Sequence, residues 1–286
     1  MNDSKLREAA LFRLKRILIY VALTIVTVIV LIPFYYLVLA SFTDTTRLFT
    51  DGLTLIPKWE RMGFFNYART ATERDGAYWS WYINSIQIAA LFTVGALFFT
   101  SMVGYALGTY RFRGRTLIFI LVLIVMMIPI EILMLPLYNL TVKWGIINTK
   151  AGVILPFMLA GNAIFFFRQF STSLPIELMD AGRIDGATEY GIYFRIMVPL
   201  MRPAFGAMTI LLAMMSWNMF VWPLIVLRQN QNFTIPIGLA SLLSPYGNNY
   251  AVLLPGAVLA IVPVVIVFLF NQKTFISGLA SGGVKG

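Results

Sequence analysis

The sequence predicts an all-α polytopic membrane protein: six transmembrane helices with one cytoplasmic loop of two short helices. Three observations predict it. The chain is 59% hydrophobic and only 12% charged, against roughly 25% charged residues in a soluble domain, so its main solvent is lipid. Six long apolar runs occupy residues 17–41, 83–110, 116–138, 151–167, 204–227 and 250–270. Between the fourth and fifth runs lies a polar, helix-forming stretch, residues 174–203, which neither anchors in lipid nor carries a catalytic motif.

Residues 1–16 form a polar N-terminal segment. The run after it exceeds the roughly 7–15 residues of a signal-peptide core and reaches the about 20 residues needed to cross a bilayer. It is therefore read as the first span. Each run should be a helix, because a backbone exposed to lipid must satisfy its own hydrogen bonds. Pro129, Pro136, Pro223, Pro255 and Pro263 fall inside spans and predict kinks. Fourteen of the 22 Lys and Arg lie in the N-terminal segment, the loop 111–115, the loop 168–203 and the tail 271–286. That side is cytoplasmic, with both termini inside. The outer face carries one substantial loop, 42–82. Its aromatic end (Tyr78, Trp79, Trp81, Tyr82) suits an interfacial belt or a docking surface for an external partner. Gly104 and Gly108, with Ser101 one turn earlier, allow a second helix to approach the second span closely.

Composition also excludes functions. The absence of Cys and His removes disulfides, zinc sites, Cys/His nucleophile pairs and histidine relays. The net charge of +10 does not indicate nucleic acid, because the cations are scattered through short loops. The Gly-rich tail from Gly278 to Gly283 is followed by Val284 where a phosphate-binding loop needs lysine, and no Ser or Thr follows. The chain is therefore read as non-catalytic, with no bound cofactor or metal.

Within the polar stretch, Pro175 suits the first turn of a helix, and Glu177 favours the positive end of its dipole. Leu178, Met179 and Ala181 offer apolar surface among the acids Glu177 and Asp180. Gly182 weakens this helix, and Asp185-Gly186 breaks it. Asp185 can cap a second helix from Ala187 through Tyr190, Phe194 and Ile196 to Pro199. The product is a cytoplasmic knuckle; the other reading is an amphipathic helix lying on lipid.

Glu177, Asp180, Ala181, Gly186, Ile196 and Pro199 stand where the EAA loop of ATP-binding-cassette (ABC) importer permeases carries its motif. Asn84-Ser85, Trp217-Asn218, Trp222-Pro223-Leu224, the run Thr234 to Gly238 and the tail Gln272-Lys273 to Gly286 add to the likeness. From residue 17 to the C-terminus the chain resembles the carbohydrate-uptake permeases, most closely the maltose-type G subunit with its type I importer fold. It departs from the motif at Asp180, which replaces a Glu, and at Gly182, which replaces an Ala. That glycine loosens the first helix by roughly 1 kcal/mol.

The resemblance implies a multi-pass protein of the bacterial inner membrane. Its partners would be a sister permease, two ATPase subunits that hold ATP-Mg, an extracytoplasmic solute-binding protein and a di- or oligosaccharide, neutral or anionic. It also implies that Glu177, Leu178, Met179, Asp180, Ala181, Gly182, Asp185, Gly186 and Ala187 meet an ATPase. Candidate pathway residues are Glu131, the only acid inside a span, the amides Asn162 and Asn218, and the sugar-stacking Trp217 and Trp222. Each has a structural alternative: a pair with the sister permease for Glu131, helix–helix hydrogen bonds for the amides, and core or lipid packing for the tryptophans. The alternative for the whole chain is an autonomous secondary transporter or channel. One intramembrane acid, no His and no visible inverted repeat argue against it.

Overall fold

The computed structural model describes residues 3–45, 56–244 and 247–283, with side chains for residues 11–45, 56–244 and 247–272. The middle of the outer loop, the last three residues of the tail, and the side chains of Lys5, Arg7 and Lys273 lie outside the described residues. The chain forms two compact units, residues 1–72 with 245–259 and residues 73–244 with 260–286.

In the first unit, α1 (Asp3–Phe42) is one helix. Residues 11–35 of this helix are all exposed, a surface suited to lipid or a partner helix, and burial begins only toward its end, at Ala40 and Ser41. Asn66 Nδ2 donates to the Ser41 and Thr43 carbonyls at 3.0 and 2.8 Å and ties the C-terminal end of α1 to the start of α2 (Phe65–Thr109).

The start of α2 corrects the expected loop 42–82. The chain is helical from Phe65, breaks where Glu73 is extended and Arg74, Asp75 and Gly76 are left-handed, then resumes. The aromatic run is therefore helical. Tyr78 and Trp81 share a face and are buried, while Trp79 is exposed. Those two buried rings belong neither to a belt nor to an external docking surface.

In the second unit, three expected spans are broken rather than straight. The third is α3 (Arg115–Met127) and α4 (Ile130–Lys143), bent by 105°. Pro129 cannot donate to the helix and forces Ile128 into extended backbone (φ −79°, ψ 121°). Each arm is about 20 Å long, short of the roughly 30 Å hydrocarbon core. The fourth is α5 (Lys150–Ile154) with a 3₁₀ turn at Leu155–Phe157, followed after a 43° bend by α6 (Gly161–Ser171). The fifth begins as α9 (Arg202–Trp217), stops at Asn218, and restarts as α10 (Val221–Val226), whose first turn accommodates Pro223. The polar stretch contributes α7 (Glu177–Ile184) and α8 (Glu189–Ile192), with α8 prolonged by a π-helical turn at Tyr193–Met197 and by Val198–Leu200. A short α11 (Ile235–Ala240) precedes α12 (Tyr250–Gly283). Since α12 runs unbroken to Gly283, the expected tail does not begin with a break at 271, and Gly278–Gly283 is helix rather than loop.

The glycine pair in α2 behaves as its spacing predicts. A Cβ on Gly104 would lie 2.6 Å from Phe167 Cβ and 2.8 Å from the Arg168 backbone nitrogen, and one on Gly108 would lie 2.8 Å from Ser171 Cβ. The α2 and α6 backbones touch there because no side chain intervenes. Two motif fragments about 150 residues apart also meet. Asn84 Nδ2 donates to the Gln231 and Phe233 carbonyls, Ser85 Oγ accepts from the Ile235 N–H at 2.8 Å, and Trp81 Nε1 donates to the Asn230 carbonyl at 2.8 Å. These bonds satisfy buried groups of a loop that has no ladder of its own, and they fix α11 against α2.

Candidate functional site

The knuckle is built as a hard corner. Two bonds close α7: Ala187 N–H to the Gly182 carbonyl at 2.9 Å and Gly186 N–H to the Arg183 carbonyl at 3.0 Å. With Gly186 at φ +78°, this is a Schellman ending, in which the left-handed residue is normally glycine. Asp185 belongs to the end of α7. Contrary to expectation it does not cap the next helix; Thr188 does, its Oγ1 accepting from the Gly191 N–H at 3.1 Å. Pro175 precedes α7 by two residues instead of occupying its first turn. The second arm continues through Leu200, past Pro199, and then turns by 78° into α9.

The nine coupling candidates divide between two faces. Glu177, Leu178, Asp180, Ala181, Asp185, Gly186 and Ala187 are exposed. Met179 and Gly182 are buried, which corrects their assignment to a partner-facing surface. Met179 Sδ receives the Tyr105 hydroxyl of α2 at 3.6 Å. Gly182 faces the second arm, where a Cβ would lie 2.8 Å from Ile196 Cδ1 and 3.2 Å from Ile192 Cγ1. The glycine that departs from the motif therefore brings the two arms together, and α7 persists past it to Ile184.

Sequence reasoning missed Ile184, the most exposed large apolar side chain among the described residues at 86%, and Tyr190 at 70%. The available signal was an isoleucine flanked by Arg183 and Asp185 in a polar loop. It also missed a polar network. Arg183 Nε donates to Glu189 Oε1 at 2.8 Å and Arg183 Nη1 to Asp180 Oδ1 at 2.8 Å, while Tyr110 Oη donates to Glu189 Oε2 at 2.6 Å. Arg183, and then Tyr110, hold the Glu189 carboxyl below its ordinary range. Glu189 is thus ionised at neutral pH. An exposed apolar tip on a charged, buttressed corner can insert into a cleft of a water-phase partner and carry force.

The pathway candidates scatter. Glu131 is exposed in the first turn of α4, just after the 105° bend, where the helix dipole favours an anion. Asn162 lies in the first turn of α6, its Oδ1 accepting from the Ala163 N–H at 2.9 Å, so it is at a helix start and not mid-helix. Asn218 ends α9 and donates back to the Met214 carbonyl at 2.9 Å. Trp222 is buried, with Nε1 on the Gly152 carbonyl at 3.1 Å and its ring against Phe157. Trp217 is buried too, donating to the Ala260 carbonyl at 3.2 Å. The buried Trp222 indole offers no free face to a sugar, which corrects that assignment. Trp217 does border a cavity of about 270 Å³ between α2, α9 and α12, together with Thr93, Thr209 and Asn271. Glu131, Asn162, Asn218 and Trp222 do not border it.

Three comparisons bear on this arrangement. Residues 100–273 match the family model described as the binding-protein-dependent transport system inner membrane component. The chain is 53% identical over 269 residues to the arabinooligosaccharides transport system permease protein AraQ of Halalkalibacterium halodurans, covering 94% of this chain and 96% of that one. It is 33% identical over 273 residues to the lactose transport system permease protein LacG of Rhizobium radiobacter, covering 96% and 97%. In fold it is similar to a chain from the crystal structure of a bacterial ABC transporter involved in the import of the acidic polysaccharide alginate. The TM-score is 0.80, with 24% identity and coverage of 92% and 97%.

Proposed function

Because this chain belongs to the family of binding-protein-dependent transport system inner membrane components, we propose that it forms, with a sister permease, the membrane pathway of an ABC importer for an oligosaccharide. The observation that carries the coupling half of this reading is the knuckle. Its corner is exposed at Ile184, Asp185 and Gly186, while its base is anchored under α2 through Met179. Two ATPase subunits holding ATP-Mg close on each other and drag this corner. The attached helices then alternate between inward and outward access. The chain contributes no catalytic group; the chemistry belongs to the ATPases. An external binding protein presents the sugar on the outer face, and both termini lie in the cytoplasm of a bacterial cell, as the distribution of Lys and Arg supports. The names of the relatives at 53% and 33% identity support a carbohydrate cargo.

Reconstitution tests the reading. In liposomes this chain alone should move no arabinooligosaccharide, whereas the assembly with sister permease, ATPases and binding protein should import it on ATP. Uptake by the lone chain would defeat the proposal. We assign the exposed Glu131 to the translocation pathway. Glu131→Gln is expected to change the apparent affinity for sugar or the sugar-stimulated ATPase rate. Unchanged values for both would favour the structural alternative, a pair with the sister permease.

A further inference from the structure

The EAA-like motif explains why a corner protrudes, but it does not explain how displacement of that corner reaches the spans. Connections of two kinds run from the knuckle to α2. One kind is buried: Tyr193 Oη and Ser101 Oγ are 2.6 Å apart, the Tyr193 ring lies 5.1 Å from that of Tyr105, and Tyr105 Oη donates to Met179 Sδ at 3.6 Å. The other is at the water-facing rim and is built on one carboxylate. Glu189 opens the second arm. Its Oε1 receives Arg183 Nε at 2.8 Å from the first arm, and its Oε2 receives both Arg183 Nη2 at 3.3 Å and Tyr110 Oη at 2.6 Å. Arg183 reaches on to Asp180. Tyr110, the residue after α2, is itself fixed: Arg115 donates to its carbonyl at 3.1 Å and to the Gly108 carbonyl at 3.2 Å. Glu189 therefore joins three elements at once: both arms of the knuckle and the end of a span.

We infer that Glu189, held by Arg183 and Tyr110, is the positioning strut that makes the knuckle move as one body with α2. The inference rests on the knuckle's being the coupling element proposed above. Exposed ion pairs add little to stability, so cutting this one leaves the fold standing. Charge-assisted bonds from a planar guanidinium and a phenol do fix direction, and direction is what force transmission needs. With the strut cut, ATPase closure rotates the knuckle about its remaining buried contacts before α2 follows.

The test uses the assembled importer with spin labels at Ala187→Cys and Arg111→Cys, one on the corner and one beyond α2. In the unmodified background the distance distribution between them should be narrow and the same with ADP as with ATP. In Tyr110→Phe and in Glu189→Gln it should broaden and shift on adding ATP. ATP hydrolysis should continue, and arabinooligosaccharide imported per ATP should fall by roughly five- to tenfold. Distances and import ratio unchanged in both variants would overturn the strut while leaving the coupling reading intact. A label distance that already changes with ATP in the unmodified background would also overturn it. Failure of the ATPases to copurify with the unmodified chain would overturn the coupling reading, and the strut with it.

Discussion

Gly186→Val is expected to abolish ATP-driven uptake while the subunit stays in the membrane. Gly186 stands at φ +78°, and a Cβ there would meet nothing within 4 Å. Any effect of substitution is therefore one of backbone conformation and not of crowding. A left-handed backbone costs an ordinary L-residue roughly 1–2 kcal/mol, and a β-branched side chain at positive φ is a true outlier. The corner is exposed and held by two Schellman hydrogen bonds, so the cheap response is to unwind it. The two arms then lose their fixed angle, although none of the spans has been altered. Asparagine tolerates this conformation better than other residues, so Gly186→Asn should retain most transport. The measurement is uptake normalised to membrane-inserted subunit for the two variants side by side. Full transport by the valine variant would show that the left-handed corner is dispensable.

Gly238→Val is expected to remove the assembled protein from the membrane. Gly238 is the last residue of the run Thr234 to Gly238, and a Cβ there would lie 2.1 Å from Trp81 Cε3 and 2.2 Å from Cδ2. Trp81 is 1% exposed and anchored through Nε1 on the Asn230 carbonyl, so the indole has nowhere to go. Overpacking a core ordinarily costs about 1–3 kcal/mol. Here the displaced ring also endangers the bonds that Asn84 and Ser85 make to the same loop, and loss of a buried partner adds roughly 1–3 kcal/mol for each group left unpaired. Subunit recovered by detergent extraction, compared with Gly238→Ala, reads the effect. The alanine variant should be reduced and the valine variant absent; equal recovery of both with the native chain would contradict the packing described.

The two cases differ in how much the sequence disclosed. The corner at Gly186 was readable because its causes are local: an Asp-Gly pair, a proline on either side, and acids at a helix start. Which residues of α7 turn inward was not readable. Met179 is buried by Tyr105, some seventy residues earlier, and no periodicity within eight residues of α7 announces that. Gly182 read as a weak point of the helix is instead the place where Ile192 and Ile196 press against it. Pro129 announced a kink, but its size follows from the extended Ile128 that a following proline imposes, and one apolar run became two helices at 105°. Asn84-Ser85 and Thr234 to Gly238 were visible as separate motifs; that they bond each other emerges only when the fold brings them together. For Trp217 and Trp222 the sequence left sugar stacking and packing both open; Trp222 is committed to packing through Gly152 and Phe157, while Trp217 bonds Ala260 and still borders a cavity.

Site-directed crosslinking from the knuckle tests the central claim most directly. Single cysteines placed at Ile184 and Asp185 on the exposed corner, and at the buried Met179, would be treated with a short thiol crosslinker in the assembled importer. Crosslinks to an ATPase subunit from 184 and 185, altered by ATP and absent from 179, are the predicted result. An assembly that transports sugar on ATP yet yields no ATPase crosslink from either corner position would contradict the account.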